Sequence, residues 1–174
     1  EYLNQLHEAL GNTPGFERHA QAPGMDEAAR TEFLAGFQAD GRPRLGLIVL
    51  GGLFAESVDF SHAPLAGVIC VGVGLPPSSR QKEEMRDHYD RLLGDRGGDT
   101  VAFRQPAMAK ILQMAGRLLR SPDDRGVLLL VDDRFSQPAY QRFFPQHWRP
   151  QRIRAADVAS CLENFWQAEP GLPR

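Results

Sequence analysis

Near the middle of the chain, Gln113, Gly116, Arg117 and Arg120 stand at i, i+3, i+4 and i+7 in an amphipathic segment running from Pro106 to Leu119. In a helix this spacing puts an amide and two guanidinium groups on one face. A guanidinium is planar and always charged, and it grips two phosphate oxygens at once where an ammonium acts as a point charge. Paired arginines therefore suit the charge that develops on a polyphosphate during phosphoryl transfer. A solvated basic face has the same composition, and the spacing of two arginines alone favours that plainer reading.

Two further groups could do chemistry. Glu56 and Asp59 follow the apolar run Leu45–Leu50 through a Gly51-Gly52 turn, and ligands of open α/β sheets bind at the carboxyl ends of strands. A general acid and base would need a nucleophile or an electrophilic stabiliser beside them, and none is adjacent. Asp132-Asp133-Arg134-Phe135 ends a third apolar run, Val127–Val131; a buried Asp132–Arg134 pair joining the strand end to the arginine helix is expected. His62, His88 and His147 share no metal spacing. Cys70 and Cys161 are too few for a four-thiolate site, and Cys70, inside an apolar run, is read as a buried thiol. No metal site is expected in this chain. Trp148 and Trp166 are read as packing anchors for the C-terminal segment.

The elements that must position these residues are legible from periodicity. Glu1–Leu10 reads as a helix with Leu3, Leu6 and Leu10 on one face and Gly11 at its end. A strand is expected around Glu17–Gln21, and an amphipathic helix over Met25–Phe37 with Ala28, Ala29, Phe33 and Phe37 inward. The runs Leu45–Leu50, Gly67–Val73 and Val127–Val131 are apolar at successive positions, as in parallel strands buried on both faces. Helices over Ser79–Leu93 and Pro106–Leu119 separate the last two, with Pro106 in the first helical turn. A Pro- and aromatic-rich stretch, 138–150, precedes a last helix, Ala155–Trp166. The fold class is α/β: a three-layer sandwich with a mostly parallel sheet, forming a single domain over 1–174 with 138–174 as a C-terminal helical extension.

The net charge of −2 conceals segregation. Residues 1–40 carry seven acids against two arginines, whereas residues 103–154 carry nine arginines and Lys110 against four aspartates. The basic half suits phosphates, as it would a solubilising surface. No secretory or membrane-length apolar run occurs, so a cytoplasmic protein with no membrane partner is expected.

Gln113-x-x-Gly116-Arg117-x-x-Arg120-Ser121, then Asp124-Arg125-Gly126, a strand, and Asp132-Asp133-Arg134-Phe135 resembles the sixth helicase motif of the XPD/DinG group of superfamily-two DNA helicases. Upstream, Gly52-Leu53-Phe54-Ala55-Glu56-Ser57-Val58-Asp59-Phe60 resembles the group's fifth motif, Gly-x-x-x-Glu-Gly-x-Asp-Phe, with Ser57 in place of its second glycine. The ordered pair implies a P-loop-NTPase-like (RecA-like) second motor lobe. That lobe's first strand, bearing the fourth motif, is expected upstream of Glu1.

The resemblance implies that Arg117 and Arg120 act as arginine fingers, with Gln113 orienting the γ-phosphate and Asp59, Glu56 and Gly116 on the nucleotide side. It places Gly51, Gly52, Phe54, Arg104 and Arg134 toward single-stranded DNA. ATP and Mg2+ would be held mainly by the first lobe of the same polypeptide, since no Gly-x-x-x-x-Gly-Lys-[Ser/Thr] occurs in this chain. Members translocate 5′ to 3′ and usually carry an iron–sulfur cluster in the first lobe; these properties come from the resemblance alone. Two rival readings are a non-catalytic nucleic-acid-binding or regulatory module built on such a lobe, and an unrelated α/β hydrolase.

Overall fold

The structure, a computed structural model, describes residues 2–11, 14–37, 40–50, 65–94, 97–119 and 124–168. The chain divides into two compact units, Glu1–Leu65 and Ala66–Arg174. Each holds one pair of described strands, and both pairs are parallel.

In the first unit, helix α1 (Tyr2–Leu10), strand β1 (Glu17–Ala20), helix α2 (Glu27–Ala35) and strand β2 (Arg44–Leu47) follow in order. Leu3, Leu6 and Leu10 form the half-buried stripe of α1. Asp26 starts α2 by accepting the Ala29 N–H at 2.8 Å, which satisfies one of the donors that a helix leaves open at its first turn. β1 and β2 pair from Glu17 opposite Arg44 to Ala20 opposite Leu47, with α2 as the crossover that parallel pairing requires. Phe33 is buried among Met25, Leu34, Phe37 and Ile48. Ala28, expected on the same face, is exposed; five residues from Phe33, it falls on the far side of the helix.

The second unit runs β3 (Gly67–Val71), α3 (Arg80–Leu93), a helical rod, β4 (Val127–Val131), a short 3-10 turn (Asp133–Ser136), α5 (Pro138–Gln141) and α6 (Val158–Gln167). β3 and β4 pair in register from Gly67 opposite Val127 to Val71 opposite Val131. The last part of the rod, α4 (Gln105–Leu118), packs on this pair and buries Ala107, Met108, Ile111, Ala115 and Leu118. Met108, Ile111 and Val73 are fully buried, a contribution of about 1.5–3 kcal/mol for each side chain. Burial on both faces of these strands, expected from their composition, is not what the structure shows. Cys70 points into the core, while Ile69 (60% exposed), Val71 (44%) and Val131 (51%) line an open face. The alternation follows from the two-residue period of a strand.

The rod also departs from expectation. Pro106 sits in the first turn of α4, as expected, but a helical turn, Gly97–Asp99, and a π turn, Thr100–Arg104, precede α4 without a break. The Gln105 N–H bonds the Thr100 carbonyl, five residues back. Proline has no N–H, and its ring presses on the carbonyl four residues earlier; the wider π turn just upstream gives that carbonyl room. The rod begins where Gly98 meets α3. A Cβ on Gly98 would come within 1.9 Å of the Arg86 carbonyl oxygen, and the Gly98 N–H bonds Asp90 Oδ1 at 2.8 Å.

Candidate functional site

α4 turns its apolar stripe to the strands, and Gln113 and Gly116 lie exposed on its other side with Arg117 half-buried beside them. These three share a face, as their spacing dictates. The helix ends at Leu118, and Leu119 is extended at φ −122°, ψ 100°. Arg120 itself lies outside the described residues, as do Gly51, Gly52, Phe54, Glu56 and Asp59 of the upstream motif.

Gly116 is informative because of what surrounds it. Apart from its chain neighbours and its own helix's backbone, no described atom lies within 4 Å of the position its Cβ would take. Glycine inside a helix costs about 0.8–1.0 kcal/mol relative to alanine, and no described neighbour requires it.

Beyond the sheet, β4 runs into Asp132 and Arg134. Asp132 Oδ1 accepts both the Arg134 N–H and its Nε–H at 2.9 Å, and Oδ2 accepts from Nη2 at 2.7 Å. The Arg134 side-chain hydrogen bonds hold the Asp132 carboxyl below its ordinary pKa, and the same bonds raise that of Arg134. The pair was expected to be buried and to reach the arginine helix. It is instead a local clasp between the strand end and the turn that follows, with Arg134 41% and Asp132 16% exposed. Bonding two residues apart needs only the tight turn that Asp132 itself caps.

Arg104 pairs with Asp99 at 2.5 Å and stands 5.7 Å over the Tyr140 ring. Tyr140, buried, lies close enough to the Arg134 side chain to favour its charged form, and its helix neighbour Arg142 donates to Thr100 Oγ1 at 2.5 Å. The two arginines nominated for DNA thus converge on one phenol. No spacing in the sequence singles out Tyr140; its one local signal is Pro138 opening a short helix. No local pattern assigns a role of its own to Arg125, which lies over the Phe165 and Trp166 rings. Trp148 packs on Phe144 at 5.5 Å.

Cys70, hydrogen-bonded to the Gly72 carbonyl at 3.5 Å, is a buried thiol as expected. Burial, with Asp132 nearby, pushes its pKa up to about 11, so little thiolate forms near neutral pH. Among the described residues no group of three or more His, Cys, Asp or Glu is placed to hold a metal ion. No described helix is long and apolar enough to cross a membrane.

Comparison with known proteins supplies the context. Residues 1–151 match the family model described as the helicase C-terminal domain. The chain is similar to the XPD helicase subunit of the general transcription and DNA repair factor IIH of Saccharomyces cerevisiae, with 33% identity over 125 residues, covering 69% of this chain and 15% of that protein. It is likewise similar to a regulator of telomere elongation helicase 1 homolog of Caenorhabditis elegans, 32% identical over 124 residues, covering 66% of this chain and 12% of that protein. A solved XPD helicase structure aligns with a TM-score of 0.54 at 20% identity, over 72% of this chain and 22% of that one. At that identity the likeness is one of fold, an α/β RecA-like lobe. The chain spans less than a fifth of the length of either of these two relatives.

Proposed function

Since the chain belongs to the helicase C-terminal domain family, we propose that it is the second motor lobe of an ATP-dependent, XPD/DinG-like DNA helicase that translocates 5′ to 3′. In this reading residues 1–174 act as one RecA-like lobe, with 138–174 as its extension. The first lobe of the same polypeptide holds ATP and magnesium, and single-stranded DNA crosses both lobes. The observation that carries the proposal is the face shared by Gln113, Gly116 and Arg117, turned away from the core with no described residue beyond the helix itself packed over the glycine.

On lobe closure that face meets the nucleotide. Gln113 orients the γ-phosphate, Gly116 lets it approach, and Arg117 and Arg120 meet the charge that builds up there. Such fingers supply about 10³- to 10⁵-fold in rate. Asp59 lies toward the nucleotide, and Glu56 braces the loop in which Gly51, Gly52 and Phe54 face DNA. Arg134 can offer a phosphate the guanidinium edge that Asp132 leaves open. Arg104, 22% exposed and held by Asp99, is the less available of the two.

The test uses the full-length protein. Arg117→Ala and Arg120→Ala should keep most of the ATP affinity and lose DNA-stimulated hydrolysis by about 10³-fold or more. Arg120→Lys should fail nearly as badly, because an ammonium keeps the charge and loses the planar fork. Normal turnover by these variants would refute the finger assignment. A wild-type protein that binds DNA without hydrolysing ATP would favour the binding-module reading.

A further inference from the structure

α6 lies beyond residue 151, where the family match ends, and it has no fully buried residue of its own. The Arg125 side chain grips its last turn. The Arg125 guanidinium stands over the Phe165 ring at 4.6 Å and the Trp166 ring at 5.5 Å, and those rings meet edge-on at 5.1 Å. Arg125 Nη2 also donates to the Phe165 carbonyl. That carbonyl is among the last four of the helix, which have no intrahelical partner, and a cation is favoured at this end of the helix dipole. Cation–π attraction, a terminal hydrogen bond and the dipole thus act on one guanidinium.

The other end of this linkage reaches the candidate site. Arg125 is followed by Gly126, whose Cβ would come within 2.6 Å of Leu118 Cδ1. Leu118, buried, is the last residue of α4 and the neighbour of Arg117. Contacts therefore run from the last turn of α6 through Arg125, Gly126 and Leu118 to the turn that carries Arg117. Close packing transmits a displacement along such a path instead of absorbing it.

We propose that Arg125 is a positioning residue for ATP hydrolysis, and that the Phe165–Trp166 end of α6 holds it so that the last turn of α4 presents Arg117 correctly. The inference rests on the reading of Arg117 as a finger.

Its test compares Arg125→Ala, Arg125→Lys, the double variant Phe165→Leu/Trp166→Leu, and Arg117→Ala in the full-length protein. DNA-stimulated ATPase kcat and KM, nucleotide affinity and Tm are measured for each. Arg125→Ala and the double variant should lower kcat by about 10- to 100-fold, the scale of an ångström-sized misplacement at a reacting centre. KM and ATP affinity should change little. Arg125→Lys, which keeps a cation over the rings, should recover a large part of kcat. If Arg117→Ala abolishes turnover while Arg125→Ala and the double variant stay within about two-fold of wild type in kcat, this inference alone is overturned. If Arg117→Ala is itself active, the finger reading has failed first. A kcat loss fully matched by a fall in ATP affinity, or by the unfolded fraction that Tm implies, also overturns it. Should Arg125→Ala not fold, the double variant decides, since Trp166 is 45% exposed and no fully buried residue of α6 is touched.

Discussion

At Gly116 the demands of folding and of activity oppose each other. Alanine would remove the cost of a mid-helix glycine and meet no described atom within 4 Å beyond its chain neighbours and its own helix's backbone. Gly116→Ala is therefore expected to raise the unfolding free energy of the chain by about 0.8–1.0 kcal/mol. In the full-length protein it should lower ATP turnover by crowding the face that the nucleotide approaches. Urea unfolding and steady-state ATPase measure the two effects, and a stabilised, fully active variant would mean that nothing docks over this residue. Asp132 supports a pH prediction. Its folded pKa lies below the ordinary value because of Arg134, so its ionised form stabilises the fold. That contribution is complete above the unfolded pKa of about 3.9 and is lost as pH falls through the lower folded value. Arg134 is 41% exposed, so solvent screening keeps the effect modest. Asp132→Asn should make stability fall less steeply below about pH 4; parallel acid-unfolding curves for variant and wild type would contradict the pairing.

At the scale of elements, α3 and the rod meet through backbone at Gly98. A methyl group there cannot be relieved by a rotamer change, because the atom it meets is the Arg86 carbonyl oxygen of α3. Gly98→Ala should destabilise the chain by about 1–3 kcal/mol, the usual cost of overpacking, and a urea midpoint equal to wild type would show that α3 can slide. The π turn ahead of Pro106 and the clasp around Tyr140 lie in the same region. Thr100 and Arg104 of that turn are the residues reached by Arg142 and Tyr140. An irregular turn beside a proline thus becomes the surface on which the chain after β4 is anchored.

For the molecule as a whole, the division of labour between lobes sets the expectation. The isolated chain should show no ATPase activity, because the phosphate-cradling sequence is absent from it. Turnover above background that disappears in Arg117→Ala would refute this. The excess of arginine in residues 103–154 should give weak, non-specific binding to single-stranded DNA, with Kd around 10⁻⁴ M or weaker at physiological salt. Affinity should fall steeply as salt rises, since each neutralised phosphate releases counterions. Sub-micromolar, salt-independent binding would point to a dedicated binding module.

The sequence by itself determined most of the helices and strands, the amphipathic character of α4, and the placing of Gln113, Gly116 and Arg117 on one of its faces. These follow from period and turn chemistry, which act over a few residues. The tertiary structure decided the rest. Which face of β3 and β4 is covered depends on where α4 lands, and apolar composition alone does not reveal it. Pro106 marks the first turn of α4, but the helical turns before it, packed against α3, carry no such local signal. The convergence of Arg104 and Arg134 on Tyr140 is not legible locally, because Tyr140 lies outside the sequence around either arginine. Arg125 finds its partner 40 residues away, and Arg142 finds Thr100 at a separation of 42. Contacts at that range exist only once the chain has closed the loops between them, so they belong to the fold and not to any local pattern.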